Sequence, residues 1–127
     1  MKIEKTKLDG VLLITPPTIY EDFRGSYVEI FNREIYSKHG ITVDFVQDDF
    51  STSHKHVLRG VHGDNKTWKL ISCLYGSFYI LVVNNNSESN QYKKWASFTL
   101  SDRNRLQVLI PPMFGNGHLV LSKMAIF

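Results

Sequence analysis

With 127 residues, the chain is long enough for one hydrophobic core and is read as one domain. An apolar fraction of 43% beside a net charge of +3 excludes a disordered tail. The 15 basic residues exceed the 12 acidic ones by too little to mark a nucleic-acid surface, and suit a few anionic ligand groups better. No apolar run approaches the roughly 18 residues of a membrane span, so the sequence predicts a cytoplasmic protein with no membrane partner. The single cysteine, Cys73, can close no internal disulfide. Its apolar surroundings, Leu70 to Leu74, read as core packing rather than as the setting of a nucleophile.

Short segments rich in Val, Ile, Tyr, Phe and Thr follow one another with turn residues between them, the pattern of an all-β sandwich or barrel. The predicted strands are Val11 to Thr15, Ser26 to Phe31, Phe45 to Ser53, Lys69 to Leu74, Ser77 to Val83, Ala96 to Leu100, Leu106 to Ile110 and Gly117 to Leu121. Pro16-Pro17, Arg24-Gly25, Gly76, the polar run Asn84 to Asn90, Ser101-Asp102 and Pro111-Pro112 break them. One short helix is predicted over Arg33 to His39, capped by Asn32, with Glu34 in its first turn, Lys38 and His39 in its last, and Gly40 to stop it. The last residues, Lys123 to Phe127, begin to look like another strand, and the expectation is that the fold continues beyond them.

The chemistry concentrates in the middle. Val57 to Lys69 packs Arg59, His62, Asp64, Lys66 and Lys69 between apolar strands. Side chains alternate along a strand, so Lys69 shares a face with Ile71 and Cys73. It either points into a cup, where an ammonium stabilises an enolate oxygen, or sits at the strand end and snorkels to water. His62 carries an imidazole with an ordinary pKa of about 6.5, suited to proton abstraction at neutral pH, or is a structural histidine in a polar loop. Arg59 offers a fork of donors matched to a diphosphate. Arg24, before a glycine turn, reads as a surface charge or a second anion ligand; Gln47 and Asp48 line a pocket or face water.

These segments resemble the dTDP-4-dehydrorhamnose 3,5-epimerase family from about Val11 to Phe127. The resemblance is carried by Asp22-Phe23-Arg24-Gly25 with Glu29, by Gln47-Asp48, by Val57-Leu58-Arg59-Gly60-Val61-His62 and by Lys69-Leu70 with Cys73 and Gly76. It continues through Tyr92 to Trp95, Leu106 to Pro111, Gly117, and Leu119 to Ser122. It implies a cupin-type antiparallel jelly roll that epimerises a nucleotide-linked 4-keto-6-deoxy sugar without a metal or other cofactor. His62 is then the base and Lys69 the enolate stabiliser. Arg24 and Arg59 hold the diphosphate with Gln47 close by, and Tyr20 and Glu29 lie near the nucleobase. A homodimer is implied, the Arg24 region serving the partner's site.

The chain departs from the family pattern at Gly63 and Asp64, where a tyrosine and glutamine are usual, and at Asn116, where a histidine is usual, with His118 in the next aromatic position. Asn84 and Asn86 replace the usual aspartate and arginine after Val83. These variants are similar to a subgroup acting on GDP-linked 4-keto-6-deoxy-heptoses for bacterial capsules, which adds Asp64, Asn116 and His118 to the substrate-binding candidates. The family's catalytic tyrosine and the aspartate orienting its histidine fall beyond Phe127, so this stretch alone is expected to turn over weakly or not at all. Competing readings are a 3,4-ketoisomerase on a similar substrate, a metal-binding cupin using His54, His56 and His118, and a non-catalytic sugar-nucleotide-binding protein. The metal reading is the weaker, because no glutamate follows in the same motif and Ser51 to Lys55 is polar throughout.

Overall fold

The computed structural model describes residues 1–127. Twelve strands and one helix follow in the order β1 (Lys2–Lys5), β2 (Leu12–Thr15), β3 (Thr18–Asp22), β4 (Gly25–Glu29), α1 (Arg33–Lys38), β5 (Thr52–His54), β6 (Leu58–His62), β7 (Lys69–Ser72), β8 (Ser77–Asn84), β9 (Trp95–Ser101), β10 (Gln107–Ile110), β11 (Phe114–Val120) and β12 (Met124–Ile126). Two four-stranded antiparallel sheets, β1-β2-β10-β7 and β6-β11-β8-β9, form the sandwich. Strands β12 and β5 make a small ladder, and β3 and β4 a separate hairpin. This is the antiparallel jelly-roll sandwich expected, with its one short helix. No helix is long and apolar enough to cross a membrane.

Alternation along the strands assigns the faces. On β8, Phe78, Ile80 and Val82 are fully buried and meet Val108, Ile110, Val120 and Ala125 in the main core, while Tyr79 between them points away. Burying each such side chain contributes about 1.5–3 kcal/mol. The first sheet is apolar on both faces. Leu13, Val108 and Ile71 face the main core, whereas Leu12, Ile14, Leu109 and Leu70 pack on the opposite face beneath Tyr36 and Ile41. Helix α1 forms where Asn32 Oδ1 accepts from the Ile35 amide at 3.2 Å, and its Tyr36 plugs that second cluster. The Tyr36 hydroxyl lies 2.6 Å from Gln107 Oε1, and Gln107 Nε2 donates to Ser72 Oγ at 2.8 Å, tying the helix to the sheet.

Several boundaries differ from expectation. Phe45 to Ser53 is not a strand: residues 42–51 are irregular, and only Thr52–His54 pairs. Its Gln-Asp-Asp run bonds to itself instead, Gln47 Nε2 donating to Asp49 Oδ2 at 2.8 Å. Ile30 and Phe31 leave β4 early, and Phe31 turns to pack on Tyr36 and Phe45 with ring centroids 5.0 and 5.4 Å apart. Strands β1, β3 and β6 were not foreseen. All three lie at sheet edges or in the hairpin and carry polar or glycine-interrupted sequences, so they lack the alternation that marks a half-buried strand.

Candidate active site

The site is built where β6, the edge of the second sheet, runs beside β11. Asn116 pairs with His62, and Arg59 pairs with His118, so two β11 residues separated by one position face two β6 residues separated by two. The register shift between them is a bulge. Without it, residues three apart would point to opposite faces of the sheet; with it, Arg59 and His62 both lie on the face of Asn116 and His118, at an edge where they stay exposed. Gly60 makes the bulge possible. Its φ is +102°, and a Cβ there would lie 2.6 Å from the Asn116 carbonyl oxygen.

Lys69 reaches the same place from the other sheet. Its Nζ donates to Asn116 Oδ1 at 2.8 Å, crossing the sandwich from β7 to β11. Ile71 and Cys73, on the same face, pack in the main core, so Lys69 points inward rather than snorkelling. Burial pushes the Cys73 thiol up to about 11, with Asp102 nearby adding to the rise, so it stays protonated and is a packing residue.

Arg59 is held by Ser53 Oγ, which accepts from its Nε at 3.0 Å. Ser53 is a contributor the sequence hid: it is 3% exposed inside a run that reads as solvated. His118 is buried rather than open to a ligand, stacked edge-on to Phe127 and Phe78 at 4.1 and 5.7 Å, with Nε2 unpartnered. Burial, reinforced by the Arg59 and His62 charges, lowers its pKa to about 4. His118 is therefore a neutral wall of the interior.

Asp64 is held by its own turn. Its Oδ1 accepts from the Lys66 and Thr67 amides at 2.7 Å each, bonds that hold its carboxyl near a pKa of about 2 although it is exposed. Its carbonyl accepts from the Met113 amide at 2.8 Å. It shapes the turn after His62. Gly63 beside it fits a close approach, since a Cβ would meet the Phe114 carbonyl at 2.2 Å. A cleft of about 470 Å³, bordered by Val61, His62, Asp64, Asn85 and Phe114, opens next to His62. A larger cleft of about 730 Å³, by His54, Arg103 and Lys123, holds none of the catalytic or substrate-binding candidates.

The remaining candidates lie elsewhere in the chain. Tyr20 and Arg24 stand on the β3–β4 hairpin, where Tyr20 is exposed and Arg24 forms an ion pair at 2.7 Å with Asp22. Gln47 lies exposed in the irregular segment. Glu29 sits at the hairpin's base, one carboxylate oxygen buried without a partner, and its charge raises the Tyr36 hydroxyl, already pushed up to about 12 by burial. His54 and His56 are exposed, and no cluster of three or more His, Cys, Asp or Glu side chains is placed to hold a metal ion.

An antiparallel jelly roll with an inward-facing histidine, lysine and arginine defines a cupin-type sandwich whose interior carries acid–base residues. Within that class the chain belongs to the dTDP-4-dehydrorhamnose 3,5-epimerase family, whose model matches residues 5–127. It is 39% identical over 120 residues to the dTDP-4-dehydrorhamnose 3,5-epimerase of Methanothermobacter thermautotrophicus, covering 93% of this chain and 64% of that protein. It is 37% identical to the Escherichia coli enzyme of that name, covering 100% of this chain and 70% of that one. The chain thus spans about two thirds of these relatives. Among solved structures, a Legionella pneumophila dTDP-6-deoxy-D-glucose-3,5-epimerase in complex with dTDP-4-keto-L-rhamnose superposes with a TM-score of 0.91 at 39% identity, covering 98% of this chain and 68% of that one. A Bacillus anthracis dTDP-4-dehydrorhamnose 3,5-epimerase with TDP and pyrophosphate bound gives 0.90 at 31%, covering 98% and 73%.

Proposed function

We propose that the protein epimerises C3, C5 or both in a nucleotide-linked 4-keto-6-deoxy sugar, supplying bacterial surface polysaccharide synthesis in the cytoplasm. The observation that carries this reading is the convergence of His62, Asn116 and Lys69 from both sheets on one inner face. A ketone acidifies the adjacent C–H. His62 takes that proton, the bonding pair moves into the ring and the carbonyl pair onto oxygen, and Lys69 stabilises the enolate before a proton returns on the other face. Arg59, fixed by Ser53, faces the diphosphate.

A homodimer is part of the proposal. The outer face of the second sheet presents Leu58, Val61, Tyr79, Leu81, Val83 and Leu119 without a charged residue, and the hairpin holds Phe23 at 98% exposure. A second copy covers the sheet face and brings its own Tyr20 and Arg24 to the site.

Solvent deuterium appearing at C3 or C5 of a dTDP- or GDP-linked 4-keto-6-deoxy sugar, followed by NMR with the full-length protein, tests the reading. The departures at Gly63, Asp64 and Asn116 favour a GDP-heptose, and the names of the relatives favour a dTDP-hexose; faster exchange in one of the two decides. Loss of all activity on chelation, restored by one added metal, would support a metal-dependent cupin instead.

A further inference from the structure

Asn116 combines three properties that a packing residue does not need together. It is 4% exposed, it stands directly opposite His62, and its Oδ1 is the only protein partner of the Lys69 ammonium. Lysine has donors and no acceptor, so the amide oxygen must face Nζ and the amide nitrogen is forced to the other side. That nitrogen donates to no protein group. Resting on the epimerase reading above, we propose that Asn116 sets the oxyanion site: Oδ1 fixes Lys69 Nζ, and Nδ2 supplies a second hydrogen bond to the oxygen that becomes negative when His62 removes the proton.

The chemistry fits an amide better than other side chains. With Oδ1 turned to Nζ, Nδ2 is the Asn116 donor left for a ligand on the face that His62 shares. Charge that develops only as the C–H bond breaks is stabilised in the transition state more than in the bound ketone, which acts on kcat rather than on KM. An aspartate at this position would keep the acceptor for Lys69 but turn a carboxylate oxygen toward the enolate.

The test uses the full-length protein and solvent deuterium exchange on the 4-keto sugar nucleotide. Asn116→Leu and Asn116→Asp should each lower kcat by about tenfold or more, with KM changed by less than about threefold, and Asp should be no better than Leu. Because the two donors serve one oxygen, Asn116→Leu added to Lys69→Met should cost less than the product of the two separate losses. Circular dichroism and thermal unfolding confirm that the variants fold, and Asn116→Ser serves in place of Leu if that variant does not. A rescue by Asp to near wild-type kcat, or losses that multiply, overturns the second-donor role. A wild-type protein that exchanges no deuterium overturns the epimerase reading and this role with it; an active wild type unchanged by Asn116→Leu overturns this role alone.

Discussion

The interior face of the sandwich and the β3–β4 hairpin both carry candidate ligand residues, but they are held in different ways. His62, Arg59, Asn116 and Lys69 come from three strands, in register with neighbours, and Lys69 is joined to Asn116, 47 residues away. Tyr20 and Arg24 depend on a two-stranded ribbon whose polar bonds close within two residues, and Phe23 at its tip is bare. The first arrangement fixes Arg59, Lys69 and Asn116 before a ligand arrives. The second leaves the hairpin's geometry to whatever covers it.

That contrast breaks most visibly in stability. Ile80→Ala removes a fully buried side chain of the main core and should cost about 2–5 kcal/mol in chemical denaturation. Gly60→Ala should cost roughly 2–3 kcal/mol and weaken nucleotide-sugar binding too, because the new methyl would force the bulge away from Asn116 and misaim Arg59 and His62.

The interior should also show an acid signature. His118 has a pKa lowered in the folded state, so folding disfavours its protonation: stability is full above about pH 6.5 and falls as pH drops toward about 4, by about 1–3 kcal/mol. His118→Phe should flatten that window in denaturation curves taken at several pH values, without lowering stability at pH 7, since the ring already packs against Phe78 and Phe127. A window unchanged in the variant would mean that other groups set the acid sensitivity. The hairpin gives the smallest effect on folding. Phe23→Ala should move the free energy of unfolding by less than about 0.5 kcal/mol while weakening self-association in sedimentation, and a large loss of intrinsic stability would show that the tip already packs within one chain.

The legibility of these two regions in the sequence follows the same physics. Strands such as β8 and β10 bury regular apolar faces, and their periodicity is plain. Spacing from Ile71 and Cys73 leaves Lys69 either inward or snorkelling, and its bond to Asn116 decides for the inward position. Strand β6 was hidden because the bulge at Gly60 breaks the two-residue period, so Leu58–His62 reads as a polar loop and the shared face of Arg59 and His62 has no signature. The family resemblance supplied that pairing where periodicity did not. Ser53 is hidden for a related reason: its burial comes with Ala125 on β12, far away in sequence. The turn bonds of Asp64 have no signature either, because an acidic residue beside a catalytic candidate looks the same whether it meets a ligand or caps its own turn.

The central claim is that His62 is the base, and its most direct measurement is the rate of solvent deuterium uptake at C3 or C5 by His62→Asn in the full-length protein. General-base catalysis contributes about 10²- to 10⁴-fold, so the account predicts uptake slowed by at least about a hundredfold with the thermal unfolding midpoint little changed. Uptake at the wild-type rate would make His62 a structural residue and contradict the mechanism.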